Sequence, residues 1–169
     1  MSASDLAAAK PGTLHLVCGK IGAGKSTLCA RLASEPGTFL VSQDRWLSAL
    51  YPDELETIPD MIRYSGRLRS VMGPHVSDLL RAGLSVVLDF PANTIDLRRW
   101  MLDVAEAADA PHLLHFLDLP DETCRARLRR RNAEGAHEYV VGDEEFDVIT
   151  AYFQPPGGSE GLTIRTYGD

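Results

Sequence analysis

Eight consecutive residues, Gly19-Lys20-Ile21-Gly22-Ala23-Gly24-Lys25-Ser26, satisfy the spacing G-x-x-x-x-G-K-[ST] in full. The chemistry of such a run is the holding of an oligophosphate. Its glycines let backbone N–H groups curl around the phosphates, and a helix starting at its end adds partial positive charge. Lys25 is expected to reach the outer phosphates, and the Ser26 hydroxyl to ligate Mg²⁺. The candidate nucleotide contacts are therefore Gly19, Ile21, Gly22, Ala23, Gly24, Lys25, Ser26 and Thr27. A glycine-rich turn matching by chance is the alternative. Against it, an apolar run (Thr13 to Cys18) precedes the loop and helically spaced Leu28 and Leu32 follow it.

Three kinds of protein share such a loop: guanine-nucleotide switches, motor-type ATPases and small kinases. Asn93-Thr94-Ile95-Asp96 lacks the lysine of a guanine-reading Asn-Lys-x-Asp, and Asp89-Phe90-Pro91-Ala92 lacks the glycine of Asp-x-x-Gly. The apolar strand ending at Asp89 is followed by Phe90, where a motor ATPase places a water-polarising glutamate. A kinase has positive support. Asp44 stands nineteen positions after Lys25, just beyond a second predicted strand. In an open α/β sheet the carboxyl ends of adjacent strands meet at one crevice, so Asp44 is expected to face the phosphate loop. There it can accept an acceptor's hydroxyl proton and orient the oxygen toward the γ-phosphate. A helix-capping aspartate, or an Asp44–Arg45 surface pair, is the competing reading.

Arg125, Arg127, Arg129, Arg130 and Arg131 crowd one helical segment. Arg127 and Arg131 share one face, and Arg125 and Arg129 another. Clustered like charge needs an anion or carboxylates beside it, which makes Arg127 and Arg131 the expected clamp on the transferring phosphate. Arg125 and Arg129 are expected to form an ordinary solvated face, with Arg130 between the two.

Strands are expected over Thr13–Cys18, Thr38–Ser42, Leu84–Asp89, His112–Leu117 and Leu162–Tyr167. Helices are expected over Ser26–Ser34, from about Pro59 to Ala82 with a kink or break at Gly73-Pro74, from an Asn93 or Thr94 cap to Ala108, from Asp121 to Arg131, and from Asp143 to about Phe153. The alternation predicts an α/β fold in three layers: a mainly parallel five-stranded sheet with helices on both faces. One domain over residues 1–169 is expected, with a lid over about 125–142 and a loop at Asn132–Gly142.

The 169 residues carry seventeen Lys+Arg against twenty-four Asp+Glu, a formal net charge of −7. An acidic protein does not attract a polyanion at long range, so nucleic acid is an unlikely partner, though a local basic pocket is compatible. Three cysteines without paired spacing read as packed, reduced thiols, and no apolar stretch is long enough to span a bilayer, so a cytoplasmic protein is expected. His112 and His115 are three apart on a strand and fall on opposite faces, which argues against a metal site, and His15 reads as structural. His137, in the lid loop, is at best an ancillary substrate contact. Trp46 can stack on an acceptor or simply pack. Arg63 and Arg67 suit a solvated face better than an acceptor pocket.

From Gly19 to about Phe153 the chain resembles the small P-loop kinases grouped with zeta toxins, chloramphenicol phosphotransferase and the kinase domain of polynucleotide kinase, and is similar to bacterial AAA-family ATP-binding proteins. Four stretches carry the resemblance: Gly19–Thr27, Ser42-Gln43-Asp44-Arg45-Trp46, Leu88-Asp89-Phe90-Pro91-Ala92-Asn93-Thr94, and Asp118-Leu119-Pro120 with Arg127 and Arg131. It implies a catalytic role for Asp44, contact of Asp89 and Asn93 with substrate or a metal-bound water, and a lid bearing Arg127 and Arg131. It also implies ATP as the nucleotide. Polynucleotide kinases carry an acceptor-binding arginine three positions after the aspartate, where Leu47 stands; Arg45 is the residue placed to compensate. The expectation is an ATP- and Mg²⁺-dependent transfer of phosphate to a hydroxyl of a small molecule. The alternatives are an ATP-binding or hydrolysing regulatory protein without an acceptor, and a polynucleotide 5′-hydroxyl kinase.

Overall fold

Val86, Val87 and Leu88 in succession are wholly buried, as are Leu16, Val17 and Cys18 within 1%. Successive side chains of a strand point to opposite faces, so such runs require cover on both sides. The computed structural model describes residues 10–134 and 141–168. In it, β1 (Leu14–Gly19), β2 (Thr38–Ser42), β3 (Ser85–Asp89), β4 (His112–Leu117) and β5 (Ile164–Tyr167) form one sheet in the order β2-β3-β1-β4-β5, every pair parallel.

Around it lie α1 (Lys25–Ala33), α2 (Gln43–Leu50), α3 (Ile58–Arg81), α4 (Ile95–Ala107), α5 (Asp121–Ala133) and α6 (Asp143–Ala151). One face of the sheet, with Leu14, Leu16 and Leu88, packs on Leu68, Met72 and Val76 of α3 and on Met101 and Val104 of α4. The other, with Val17 and Val87, packs on Leu28 and Cys29 of α1. The three layers expected from the alternation are present. A smaller cluster joins Ala23 of the loop to Cys124 and Leu128 of α5 and Phe146 of α6.

Two local expectations are corrected. Pro74 does not break α3, which runs through it for 24 residues. Pro74 is exposed, so the carbonyl it leaves unpaired one turn earlier, at exposed Ser70, meets water. The opposite side of the helix is held where Ser77 Oγ donates to the Gly73 carbonyl at 3.1 Å and the Val104 carbonyl at 2.9 Å. Helix α2 was not among the expected helices; its eight residues follow β2 without a break, with Ser42, not Asp44, at the N-cap.

Thr94, one of the two anticipated caps, starts α4 by accepting from the Leu97 amide. Arg98, on the same helix, is wholly buried yet fully engaged. It pairs with Glu160 through two hydrogen bonds of 2.7 and 2.9 Å and donates to the carbonyls of Ala92 and Gln154. Burial of a guanidinium is tolerable only with such partners. The arrangement fastens the segment leading into β5, the strand that closes one side of the site.

Candidate active site

The loop between β1 and α1 is built around positive backbone angles at Gly22 (φ 80°) and Gly24 (φ 97°). A Cβ on Gly22 would also lie 2.6 Å from the Cys124 carbonyl oxygen and 2.8 Å from Leu128 Cγ, so α5 seats directly on the loop. Lys20 adds a second tie, pairing with Asp121 and donating to the Leu119 carbonyl at 3.3 Å. Asp121 is thus the first residue of α5 and a loop anchor, while Pro120 occupies the cap position. Lys25 turns back over the loop and donates to the carbonyls of Gly19 (2.7 Å) and Lys20 (2.9 Å). Burial lowers its pKa, with the nearby Cys18 and Asp89 opposing that shift.

A cavity of about 800 Å³ opens on the loop. Residues Ile21 to Leu28 form its floor, and Arg127, Leu128, Arg130 and Arg131 of α5 one wall. Leu117, Tyr167 and Arg31 close the β5 side, and Asp44 stands on the rim formed by α2. Among the described residues, Lys25, Arg31, Arg127, Arg130 and Arg131 thus face a space with one carboxylate, in a protein of net charge −7. Arg127 Nη1 donates to the Ala23 carbonyl at 3.0 Å, and the Nε of Arg131 is buried with no hydrogen-bond partner among the described residues. A buried orphan donor among clustered cations fits an anionic ligand.

The five arginines of α5 fall on the two faces their spacing suggested, but the face of Arg125 and Arg129 packs on α6 and is not simply solvated. Arg125 pairs with Asp147, donates to the Asp143 carbonyl and lies 4.2 Å over the Phe146 ring, while Arg129 pairs with Asp143 at 2.6 Å. These two fasten α5 to α6. Arg127 and Arg131 face the cavity, joined by Arg130.

Asp44 lies in the first turn of α2. Partial desolvation and then the charge of Asp89 push its carboxyl above the usual carboxylate range, against the pull of Lys25. Both neighbours of the reading therefore act on it electrostatically. Asp89 ends β3 opposite Ser42 and accepts from Ser42 Oγ (3.3 Å) and from Cys29 Sγ (3.6 Å). The Cys29 thiol is pushed up to about 12 by burial and by Asp89, so it remains a neutral donor.

Asp89 thus sits beneath the cavity, within the field of Lys25, and does not line its wall. Arg45 is exposed on α2 and Asn93 precedes α4 with its carbonyl accepting from the Gln154 amide; neither lines the cavity. The substrate contact implied for Arg45 and Asn93 is therefore not brought together with the loop. Arg63 and Arg67 lie over the ring of buried Tyr64, at 4.5 and 5.5 Å, as packing partners. His137 and the other residues of 135–140, within the span expected as a lid, lie outside the described residues.

Sequence reading passed over Arg31 and Tyr167, and the partners of His15 and His115. His15 Nδ1 lies 3.1 Å from His115 Nε2, and His115 Nδ1 lies 2.8 Å from the Tyr167 hydroxyl. These contacts join β1, β4 and β5, and no spacing within one strand could announce them. Burial first, then the charges of His15, Arg165 and Arg31, lower the His115 pKa to about 4.

Solved structures share this fold at low identity. A candidate kinase from Chloroflexus aurantiacus superposes with a TM-score of 0.70 at 19% identity, covering 95% of this chain and 87% of its own. The APS kinase CysC of Mycobacterium tuberculosis, in complex with AMPPNP and APS, gives 0.57 at 22% identity over 92% of this chain and 88% of its own. A gluconokinase from Sinorhizobium meliloti gives 0.55 at 15% identity over 94% and 84%. Comparison with curated proteins finds no match. The sequence pattern of the AAA domain matches residues 14–156, spanning the loop, the sheet to β4 and α1 to α6. The chain belongs to the AAA-domain family, with the fold of the small P-loop kinases.

Proposed function

We propose that the protein is an ATP- and Mg²⁺-dependent phosphotransferase that moves the γ-phosphate of ATP to a hydroxyl of a small-molecule acceptor. The observation that carries this is the placement of the Asp44 carboxyl on the same cavity as Lys25, Arg127 and Arg131. The acceptor oxygen attacks the γ-phosphorus, the bond to the bridging oxygen of ADP breaks, and Asp44 takes the hydroxyl proton. A carboxyl held above its usual range is a better proton acceptor than an ordinary surface aspartate. Gly22 to Ser26 cradle the phosphates, Lys25 neutralises charge on the leaving side, and Arg127 and Arg131 hold the transferring group.

The loop offers Ser26 as a hard oxygen donor. That suits Mg²⁺, which keeps waters and takes phosphate oxygens together with one or two protein ligands. When bound, the ion offsets phosphate charge. A small acceptor agrees with the acidic surface, and three buried, unpaired cysteines agree with a reducing, cytoplasmic setting. Among the described residues no helix is long and apolar enough to cross a membrane. A single domain with residues 125–142 as its lid completes the reading.

The test is an ATP-consumption screen over sugars, nucleosides, antibiotics and oligonucleotides, with Asp44→Asn as control. A kinase consumes ATP only with an acceptor, and the variant does not. Consumption that ignores acceptor and variant alike makes the protein a hydrolase, and oligonucleotide-dependent consumption makes it an end-labelling kinase.

A further inference from the structure

We propose that Tyr167 receives the nucleoside part of the bound nucleotide, and that His115 and His15 are positioning residues that hold its ring in place. The inference rests on the reading of the cavity as a nucleoside triphosphate site. Gly19, Leu117 and Tyr167 are register partners across β1, β4 and β5, so they form a row along the carboxyl edge of the sheet. At about 4.8 Å per strand, Tyr167 stands roughly 10 Å from the start of the phosphate loop. Leu117 and Tyr167 of this row line the cavity, as does Arg31 of α1. A triphosphate with its outer phosphates at Lys25 carries its sugar and base away from the loop, and this row is one direction the cavity leaves open.

Tyr167 is more tightly fixed than a strand-end tyrosine needs to be. Its carbonyl accepts from the Asp118 amide at 2.9 Å, its ring lies 5.8 Å from the His115 ring at 24°, and its hydroxyl meets His115 Nδ1. His115 is 1% exposed and spends its other nitrogen on His15. A neutral imidazole has one N–H, so the chain from His15 to the tyrosine has a single donor direction. Buried imidazoles cost desolvation that valine or leucine would avoid on a sheet face. The return for that cost is a phenol ring fixed at the cavity wall, one face turned to an imidazole.

Calorimetric titration of the full chain with ATP and with inorganic tripolyphosphate separates the two ends of the site without requiring turnover. In Tyr167→Ala, the Kd for ATP rises about 10-fold or more while that for tripolyphosphate is unchanged. Tyr167→Phe and His115→Leu each weaken ATP a few-fold, and the double variant is no worse than the weaker single. His115→Gln replaces His115→Leu if the latter does not fold. Unchanged ATP affinity in Tyr167→Ala, or an equal loss for both ligands, overturns the assignment of Tyr167. Additive losses in the double variant overturn the positioning role of His115. A wild-type protein that binds neither ligand overturns the cavity reading itself, and this inference with it.

Discussion

The Lys25 ammonium lies 2.7 Å from the carbonyl oxygen of Gly19, six residues earlier on the same loop. With the second bond to Lys20, the loop's own carbonyls hold the charge that a phosphate would take. Exchange of these carbonyls for phosphate oxygens is favourable because the charged hydrogen bonds are stronger than those to neutral acceptors. Lys25→Ala is therefore expected to raise the Kd for ATP by roughly 10- to 100-fold, from one lost charge-assisted contact. Its folding stability should stay within ~1 kcal/mol, since two hydrogen bonds go together with a desolvated charge. Calorimetry and denaturant unfolding on the same samples check both halves.

Asp44→Asn keeps the shape of the side chain and removes its basicity. Transfer is expected to fall by ~10²–10⁴ while ATP affinity holds or tightens slightly, because a negative charge leaves the edge of an anion site. The base must be ionised to accept a proton, and desolvation together with Asp89 raises its pKa above the ordinary aspartate value of 3.8. The wild-type kcat should therefore drop as pH falls through a value above 3.8. The residual rate of the variant should lack that acid limb. A pH profile of both proteins is the measurement.

What was legible in the sequence follows the range of the interactions involved. The phosphate loop is one contiguous run between two patterned segments, so Gly19 to Thr27 and their strand and helix could be read from spacing. β2 and β4 have the same bounds in the sequence reading and in the fold, because their apolar runs start after Gly37 and Pro111 and stop at polar residues, Gln43 and Asp118. The helix bearing Asp44 was not legible: Gln43-Asp44-Arg45-Trp46 offers no side-chain cap, and Ser42 starts the helix without one. The two faces of the α5 arginines were legible as a four-residue spacing. Their partners, Asp143 and Asp147, lie on the next helix and were not. The His15–His115–Tyr167 chain and the Arg98–Glu160 pair join residues 52 to 100 positions apart, and only the sheet order and the packing of α4 supply that proximity.

His115 links stability to pH. Its pKa in the fold is about 4 against 6.5 for a free imidazole, so between those values the unfolded chain binds the extra proton. Stability is present in full above pH 6.5, is lost as pH falls toward 4, and changes no further below it on this account. The full shift would correspond to roughly 3–4 kcal/mol at most. Denaturant unfolding at pH 7 and pH 4.5 should show the decline, and a folded His115→Gln should show less of it.

The last prediction concerns one helix with two electrostatic faces. Arg127 and Arg131 look into the cavity, and a guanidinium there stabilises charge that grows only during transfer, so Arg127→Ala and Arg131→Ala should each lower kcat by roughly 10³. Arg129 pairs with Asp143 in the open, with side chains 65% and 54% exposed, and its hydrogen bond is the main reason the Asp143 carboxyl is held below the usual range. Water and salt screen such a pair, so Arg129→Ala should leave both kcat and the melting temperature nearly unchanged. Equal losses in all three variants, measured under saturating ATP, would mean that the helix acts through its net charge and not through the two residues that face the loop. Because the three arginines differ in position and not in charge, the comparison isolates geometry.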